Sequence, residues 1–209
     1  MSLTVLKTSD SAHSWQISAN TGRNQKTFKS RVKTNASGAH DTAETTYIQA
    51  GKPEFISLVS HAAMSIGKNE TSAQITLVSN STKINASFIS NGIDASIDSI
   101  TVNGNAYTNN SVISGDPGGD AQYTVIINLT FKANNMASTR SFQLQVQDNG
   151  GHAVTVTGTQ AADDPSISVD PSSVQVAAAG GSGSITVASN DSWTVSVVTE
   201  AVQNEQNNQ

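Results

Sequence analysis

The sequence predicts an all-β chain of tandem β-sandwich domains, and three observations carry that prediction. Apolar and polar residues alternate with a period of two through most of the 209 residues, while helical periodicity is hard to find. Turn chemistry punctuates the alternation: Asn91-Gly92, Asn103-Gly104, Asp116-Pro-Gly-Gly119 and Asn149-Gly150 are sites where Asn and Gly tolerate positive φ. The pattern also repeats. Met64 to Asn80 lies on Val174 to Asn190 without a gap at a spacing of 110 residues, matching Met64 with Val174, Ile66 with Val176, Ile75 with Ile185, Leu77 with Val187 and Asn80 with Asn190. A period this long indicates tandem domains rather than solenoid repeats.

Taken in order, the alternation predicts strands at 3–7, 14–18, 26–33 and 43–49. In the second of these Trp15 and Ile17 share a face, and in the third Phe28, Ser30 and Val32 alternate with Lys29, Arg31 and Lys33. After a short linker at Ala50–Pro53 come 54–59, 62–66, 73–79, 83–89 and 97–102, then 123–132, 139–147 and 152–159, the last two joined at Asn149-Gly150 as a hairpin. A second linker at Ala161–Pro165 leads to 166–169, 173–178, 183–188 and 192–198. A one-residue slip, as a bulge would allow, places Ile84, Ala86 and Phe88 on Trp193, Val195 and Val197. Towards the other terminus, Phe28 to Asn35 resembles Asn128 to Asn134, and Tyr47 to Pro53 resembles Thr157 to Pro165. The expected organisation is therefore a closing half-sandwich at 1–52, a complete sandwich at 53–162 interrupted by a long 91–122 insertion, and an opening half at 163–209 that ends in a polar tail. The two halves together hold 99 residues, close to one copy of the repeat.

Composition excludes several function classes. A net charge of −5 gives no global reason to wrap nucleic acid or an anionic membrane. The absence of cysteine removes disulfides, Cys-ligated zinc and thiol catalysis. No apolar run approaches a membrane span, and Met1 to Lys7 lacks the blocks of a signal peptide, so a chain starting natively at Met1 is expected to stay in the cytosol where it is made. No Gly-x-Ser-x-Gly, His-Glu-x-x-His, phosphate-loop or dinucleotide pattern occurs. The expectation is a protein that is not an enzyme, with no cofactor and no metal.

The candidate sites each have a structural and a functional reading. Trp15 and Trp193 both sit in Ser-Trp-x-(Ile/Val)-Ser, where sharing a strand face with Ile17 and Val195 favours core packing over sugar stacking. With only 5% aromatic residues, Tyr107 and Tyr123 are the best remaining candidates for glycan contact. Arg23, Lys26, Lys29, Arg31 and Lys33 gather five of the eleven basic residues, reading as a charged edge strand or as a docking face for an acidic partner. No aromatic residues interleave on that face to stack bases, which argues against nucleic acid. Asp116 to Asp120 reads as a turn before it reads as a calcium loop, because no further acidic residue follows at useful spacing. His13, His40, His61 and His152 are scattered without a partner pattern.

Ser166-Ile-Ser-Val-Asp-Pro-Ser-Ser, the following Ala-Gly-Gly and Ser-Ile-Thr-Val, and Ser192-Trp193-Thr-Val-Ser together resemble the first half of a BACON domain, an immunoglobulin-like β-sandwich. Ser14-Trp15-Gln-Ile-Ser-Ala-Asn-Thr-Gly22 and Tyr47-Ile-Gln-Ala-Gly51 resemble its second half. The middle domain departs from the pattern, with Lys83 near the position of Trp193. The resemblance implies tandem immunoglobulin-like domains of BACON type. It also implies either carbohydrate binding or a place in the virions of crAss-like bacteriophages. A chain made almost wholly of such domains is similar to auxiliary, decorating proteins of those capsids. The expected partners are copies of itself and a major capsid protein or other virion proteins, with a glycan as a further possibility and neither membrane nor nucleic acid. The expected location is the virion, assembled in the host cytoplasm. The alternatives are a carbohydrate-binding module or adhesin on a virion or cell surface, and a head-fibre or tail component. Half, whole and half further suggest that the C-terminal half of one subunit completes the N-terminal half of another by strand exchange.

Overall fold

A computed structural model describes residues 2–9, 11–35, 41–60 and 62–198. Among them every regular element is a strand: β1 (Leu3–Lys7), β2 (His13–Ile17), β3 (Lys26–Lys33), β4 (Thr42–Gln49), β5 (Ile56–Leu58), β6 (Ala63–Ile66), β7 (Ser72–Ser79), β8 (Ile84–Asn91), β9 (Ser96–Val102), β10 (Asn105–Ala106), β11 (Tyr123–Thr130), β12 (Arg140–Asp148), β13 (Ala153–Gln160), β14 (Ile167–Asp170) and β15 (Thr186–Ser189). The chain is all-β, and its centre is a β-sandwich.

Two sheets make that sandwich. One has the order β10-β9-β11-β7-β5 and the other β6-β13-β12-β8. All neighbours are antiparallel except β6, which lies parallel to β13. Period-two alternation puts one side of each strand inward, so Ile75 and Leu77 of β7, Val125, Ile127 and Leu129 of β11, and Phe142, Leu144 and Val146 of β12 are fully buried. Phe142 and Phe88 meet edge to face with centroids 5.9 Å apart. At Gly158 of β13 a Cβ would lie 2.1 Å from the Phe142 ring, so only glycine lets the ring pack there.

The other three pairs are isolated two-stranded ladders: β1 with β2, β3 with β4, and β14 with β15. The hairpin predicted at Asn149-Gly150 joins β12 to β13, but its positive φ falls on Gly151. The tight two-residue turn is Asn103-Gly104, with φ of 48° and 80°, joining β9 to the short β10, which the alternation does not signal.

Residues 173–178 and 192–198 were expected to be strands, and they carry no ladder. The reason is a missing partner rather than a wrong pattern. Their counterparts by repeat, β6 and β8, pair with β13 and β12, and among the described residues nothing in the C-terminal unit plays those parts. The polar tail and residues 36–40 lie outside the described residues, as do His40 and His61.

Candidate functional site

At the N-terminal end, two hairpins form an open leaf pair. The Trp15 ring of β2 lies 5.4 Å from the Tyr47 ring of β4, which bridges the hairpins. The Tyr47 hydroxyl is 2.9 Å from His13 Nε2 and 3.1 Å from Ser30 Oγ. Tyr47 is buried, but Trp15 is 58% exposed. Beside them opens a cleft of about 400 Å³ lined by Val5, Lys7, His13, Ser30 and Val32 among others. A sandwich core would fill this space; here it is vacant.

At the C-terminal end, the apolar positions that alternation assigns to a core face solvent. Val174, Val176, Ile185 and Trp193 are half or more exposed, and Val195 and Val197 almost wholly so. Core packing was expected for both tryptophans, and within one chain neither has it. The two-stranded ladders at either end thus leave apolar side chains of one face in solvent.

The hydrogen-bond pattern shows which strands the halves represent. Asn80, buried after β7, accepts from Phe55 N–H at 2.8 Å and donates to Pro53 O at 3.3 Å. Asn190, after β15, does the same with Ser166 N–H at 2.8 Å and Asp164 O at 2.9 Å. The neighbouring serines repeat as well, since Ser79 Oγ donates to Phe55 O and Ser189 Oγ to Ser166 O. A second hub links the closing strands. Asn134 donates to Ser138 O and Ala161 O and accepts from Met136 N–H. Asn20 donates to Asn24 O and Ala50 O and accepts from Gly22 N–H. These hubs set β14 and β15 as counterparts of β5 and β7, and β3 and β4 as counterparts of β12 and β13. The facing pairs agree: Phe28 opposes Tyr47 as Phe142 opposes Gly158. This corrects one sequence alignment, because Phe28 to Asn35 belongs with β12 and not with Asn128 to Asn134. Alternation cannot tell one strand from the next, whereas the asparagine hub marks a unique place.

Both units are bolted to the sandwich. Arg23 pairs with Asp116 and, at 3.6 Å, with Glu54; Lys52 pairs with Asp120. Across the junction Gly119 N–H donates to Thr21 O, while within the N-terminal unit Lys52 N–H donates to Gly22 O. The Arg23 guanidinium and the Gly118 N–H hold the Asp116 carboxyl below the usual carboxylate range, and Asp116 in turn raises Arg23. Tyr123, buried beneath this junction and close to the Asp116 charge, is pushed up to about 12. At the other junction Lys68 bridges Asp163 at 2.7 Å and Asp164 at 3.2 Å, and Ala137 N–H donates to Asn190 O.

The sequence candidates therefore separate. Arg23 leaves the basic group to clamp the first junction. Lys29 and Arg31 stay on the exposed face of β3 and meet Glu44 across the hairpin, at 3.4 Å and 2.9 Å, while Lys26 and Lys33 are exposed. The 116–120 loop spends its two carboxylates on Arg23 and Lys52, which neutralises the charge a cation would use. Tyr123 is only 2% exposed, with its hydroxyl donating to Ser81 O at 2.7 Å. Tyr107 is half-buried and bonds Ile84 and Ser111 through its hydroxyl, so both rings pack rather than offer a sugar-stacking face. His152 is held by Asp148 at 2.8 Å. What sequence reading missed is Tyr47 and the two hub asparagines, Asn20 and Asn134. Only the Asn80–Asn190 match signalled a hub.

No family model matches the chain, and no curated protein matches it. Solved structures do show likeness. A protein from Bacteroides thetaiotaomicron solved by NMR is 17% identical, over 50% of this chain and 80% of that one, with a TM-score of 0.25. The C-terminal domain of the AgI/II polypeptide BspA of Streptococcus agalactiae is 12% identical, over 56% and 52%, with a TM-score of 0.27. BcpA, the major pilin subunit of Bacillus cereus, is 10% identical, over 78% and 63%, with a TM-score of 0.31. The chain thus spans less than two thirds of the BspA and BcpA structures.

Proposed function

We propose that this chain is a non-enzymatic structural subunit that assembles through its immunoglobulin-like units, placed as an auxiliary protein decorating a phage capsid. One observation carries the assembly reading: a complete sandwich bears, at each end, an open half whose core-type residues lie in solvent. Exposed apolar faces and unpaired strand edges are costly in water and are relieved by association. The resemblance of both termini to BACON segments supports the capsid placement, with copies of the chain and a major capsid protein as partners. The exposed basic face of β3 is the surface suited to an acidic partner.

Two measurements test this. Sedimentation velocity on the full chain is expected to give concentration-dependent oligomers, and a strictly monomeric protein would refute the assembly reading. Mass spectrometry of purified particles is expected to find the chain in fixed ratio to the major capsid protein, and its absence would remove the capsid placement.

The exposed Trp15 ring, tilted against Tyr47 near a polar-rimmed cleft, favours a second reading as a carbohydrate-binding module. That reading expects a monomer whose binding on a glycan array is lost in Trp15→Ala.

A further inference from the structure

The middle sandwich displays how an opening half and a closing half fit, and the repeated hubs carry that fit onto the termini. In the sandwich β7 pairs with β11, which places Asn128 opposite Gln74 and Ile127 opposite Ile75. β12 pairs with β8, which places Leu144 opposite Phe88 and Val146 opposite Ala86. The Asn20–Asn134 correspondence turns β11 positions 127, 128 and 129 into His13, Ser14 and Trp15, and the Asn80–Asn190 correspondence turns β7 positions 75 and 74 into Ile185 and Ser184.

Resting on the assembly reading above, we propose that residues 166–198 of one copy complete the N-terminal hairpins of a second copy in this inherited register. Ser14 then faces Ser184 and His13 faces Ile185 in one sheet. In the other sheet, Ser30 faces Val197 and Val32 faces Val195, and residues 173–176 lie parallel to β4. The exposed valines and Trp193 enter the vacant cleft beside Trp15.

A second observation points to the same missing segment. Gln160, fully buried at the end of β13, donates to Lys132 O, Glu70 O and Lys68 O. Gln49 stands in its place at the end of β4, and its Nε2 reaches Ser18 O at 3.0 Å, the counterpart of Lys132 O. The counterparts of the Lys68 and Glu70 carbonyls, which accept from Gln160 Nε2, are those of Ala178 and Gly180. The incoming segment offers the Gln49 Nε2 the two further carbonyl acceptors that Gln160 Nε2 has in the complete sandwich.

The partner must be another copy. Arg23, Glu54, Asp116 and Asp120 sit where β7 ends and β11 begins; Lys68, Asn134 and Asp163 sit at the opposite pole. Strands of eight residues at about 3.4 Å each hold the two junctions roughly 27 Å apart. Both junctions are clamped by ion pairs and backbone hydrogen bonds, so one chain cannot bring its halves together without breaking them. A head-to-tail contact of this kind is heterologous and closes a ring or extends a filament.

The chain has no cysteine, so introduced thiols report cleanly. Ser14 and Ser184 fall on the outer face, because Gln74 and Asn128, their counterparts, hydrogen-bond there in the exposed position. Full-length Ser14→Cys and Ser184→Cys proteins are mixed, co-refolded and oxidised. Facing positions lie within disulfide reach, whereas Ala188, four residues along β15, is displaced by about 13 Å. The mixture is expected to yield a disulfide-linked heterodimer at least about tenfold more than Ser14→Cys mixed with Ala188→Cys, since docking raises the local thiol concentration. Asn128→Cys with Gln74→Cys in one chain, expected to oxidise within that chain, checks that the facing geometry forms the bond. Equal yields from the two mixtures overturn the register. Oligomers that form without the Ser14–Ser184 cross-link overturn this proposal and leave the assembly reading standing. A monomer at the highest soluble concentration overturns both.

Discussion

Replacing Asn80 by alanine tests the hub on which the repeat is built. Asn80 is 1% exposed, accepts from Phe55 N–H at 2.8 Å, and donates to Pro53 O and Gly119 O at 3.3 and 3.4 Å. Alanine leaves the Phe55 donor without a partner, which costs about 1–3 kcal/mol for an unsatisfied buried group. The two longer contacts add less, because hydrogen bonds weaken at that distance. A total of about 2–3 kcal/mol follows, and a domain near 100 residues then melts roughly 10 °C lower. Asn80→Asp is expected to be no better, since the retained oxygen still accepts from Phe55 but a second oxygen now faces two carbonyls. Thermal unfolding of the full chain, with hydrogen exchange at the β7 amides, reads the effect in the sandwich itself. The same change at half-exposed Asn190 should cost less than about 1 kcal/mol in the single chain, because water can replace the side chain. A loss under about 0.5 kcal/mol at Asn80 would refute the reasoning, since that is the range of an ordinary surface substitution.

Gly158→Ala places a methyl 2.1 Å from the Phe142 ring and should cost about 1–3 kcal/mol by overpacking, with partial recovery when Phe142→Leu is added; urea unfolding checks both. Tyr123 keeps its proton in the folded chain to about pH 12, whereas the unfolded chain ionises near pH 10. Stability should therefore decline across that window, and the Tyr123→Phe protein should lack this component in a denaturation series against pH. Asp116 has the opposite sign: its lowered folded value gives stabilisation that is present above about pH 4 and is lost as pH falls through the folded value. Protection of the Gly119 amide, taken relative to its intrinsic exchange rate at each pH, should fall in acid, and the Asp116→Asn variant should show that lower protection already at neutral pH. Trp193→Ala, at a half-exposed site, should leave the melting temperature of the dilute chain unchanged but weaken self-association in sedimentation; a large melting shift in dilute protein would place Trp193 in a single-chain core.

What the sequence determined by itself was the class of fold and the identity of most strands. Period-two alternation is written into the side chains, so Ile75, Leu77, Val125, Ile127 and Leu129 announce one inward face before any partner is known. The 110-residue match of Met64–Asn80 with Val174–Asn190 likewise survives as shared register, with Ile56 opposite Ser79 as Ile167 is opposite Ser189. The basic alternation on β3 was legible for the same reason. What only the tertiary structure decided was where each pattern finds its partner. Trp15, Trp193, Val195 and Val197 carry core-type spacing, yet among the described residues no second sheet covers them, because burial depends on strands far away in sequence. Arg23 looked like one of five docking cations until the loop from the 91–122 insertion brought Asp116 to it across 93 residues. Tyr47 gave no signal, since its role depends on two hairpins folding towards each other. Alternation is a property of neighbours along the chain; pairing, clamping and completion are properties of residues that only the fold brings together.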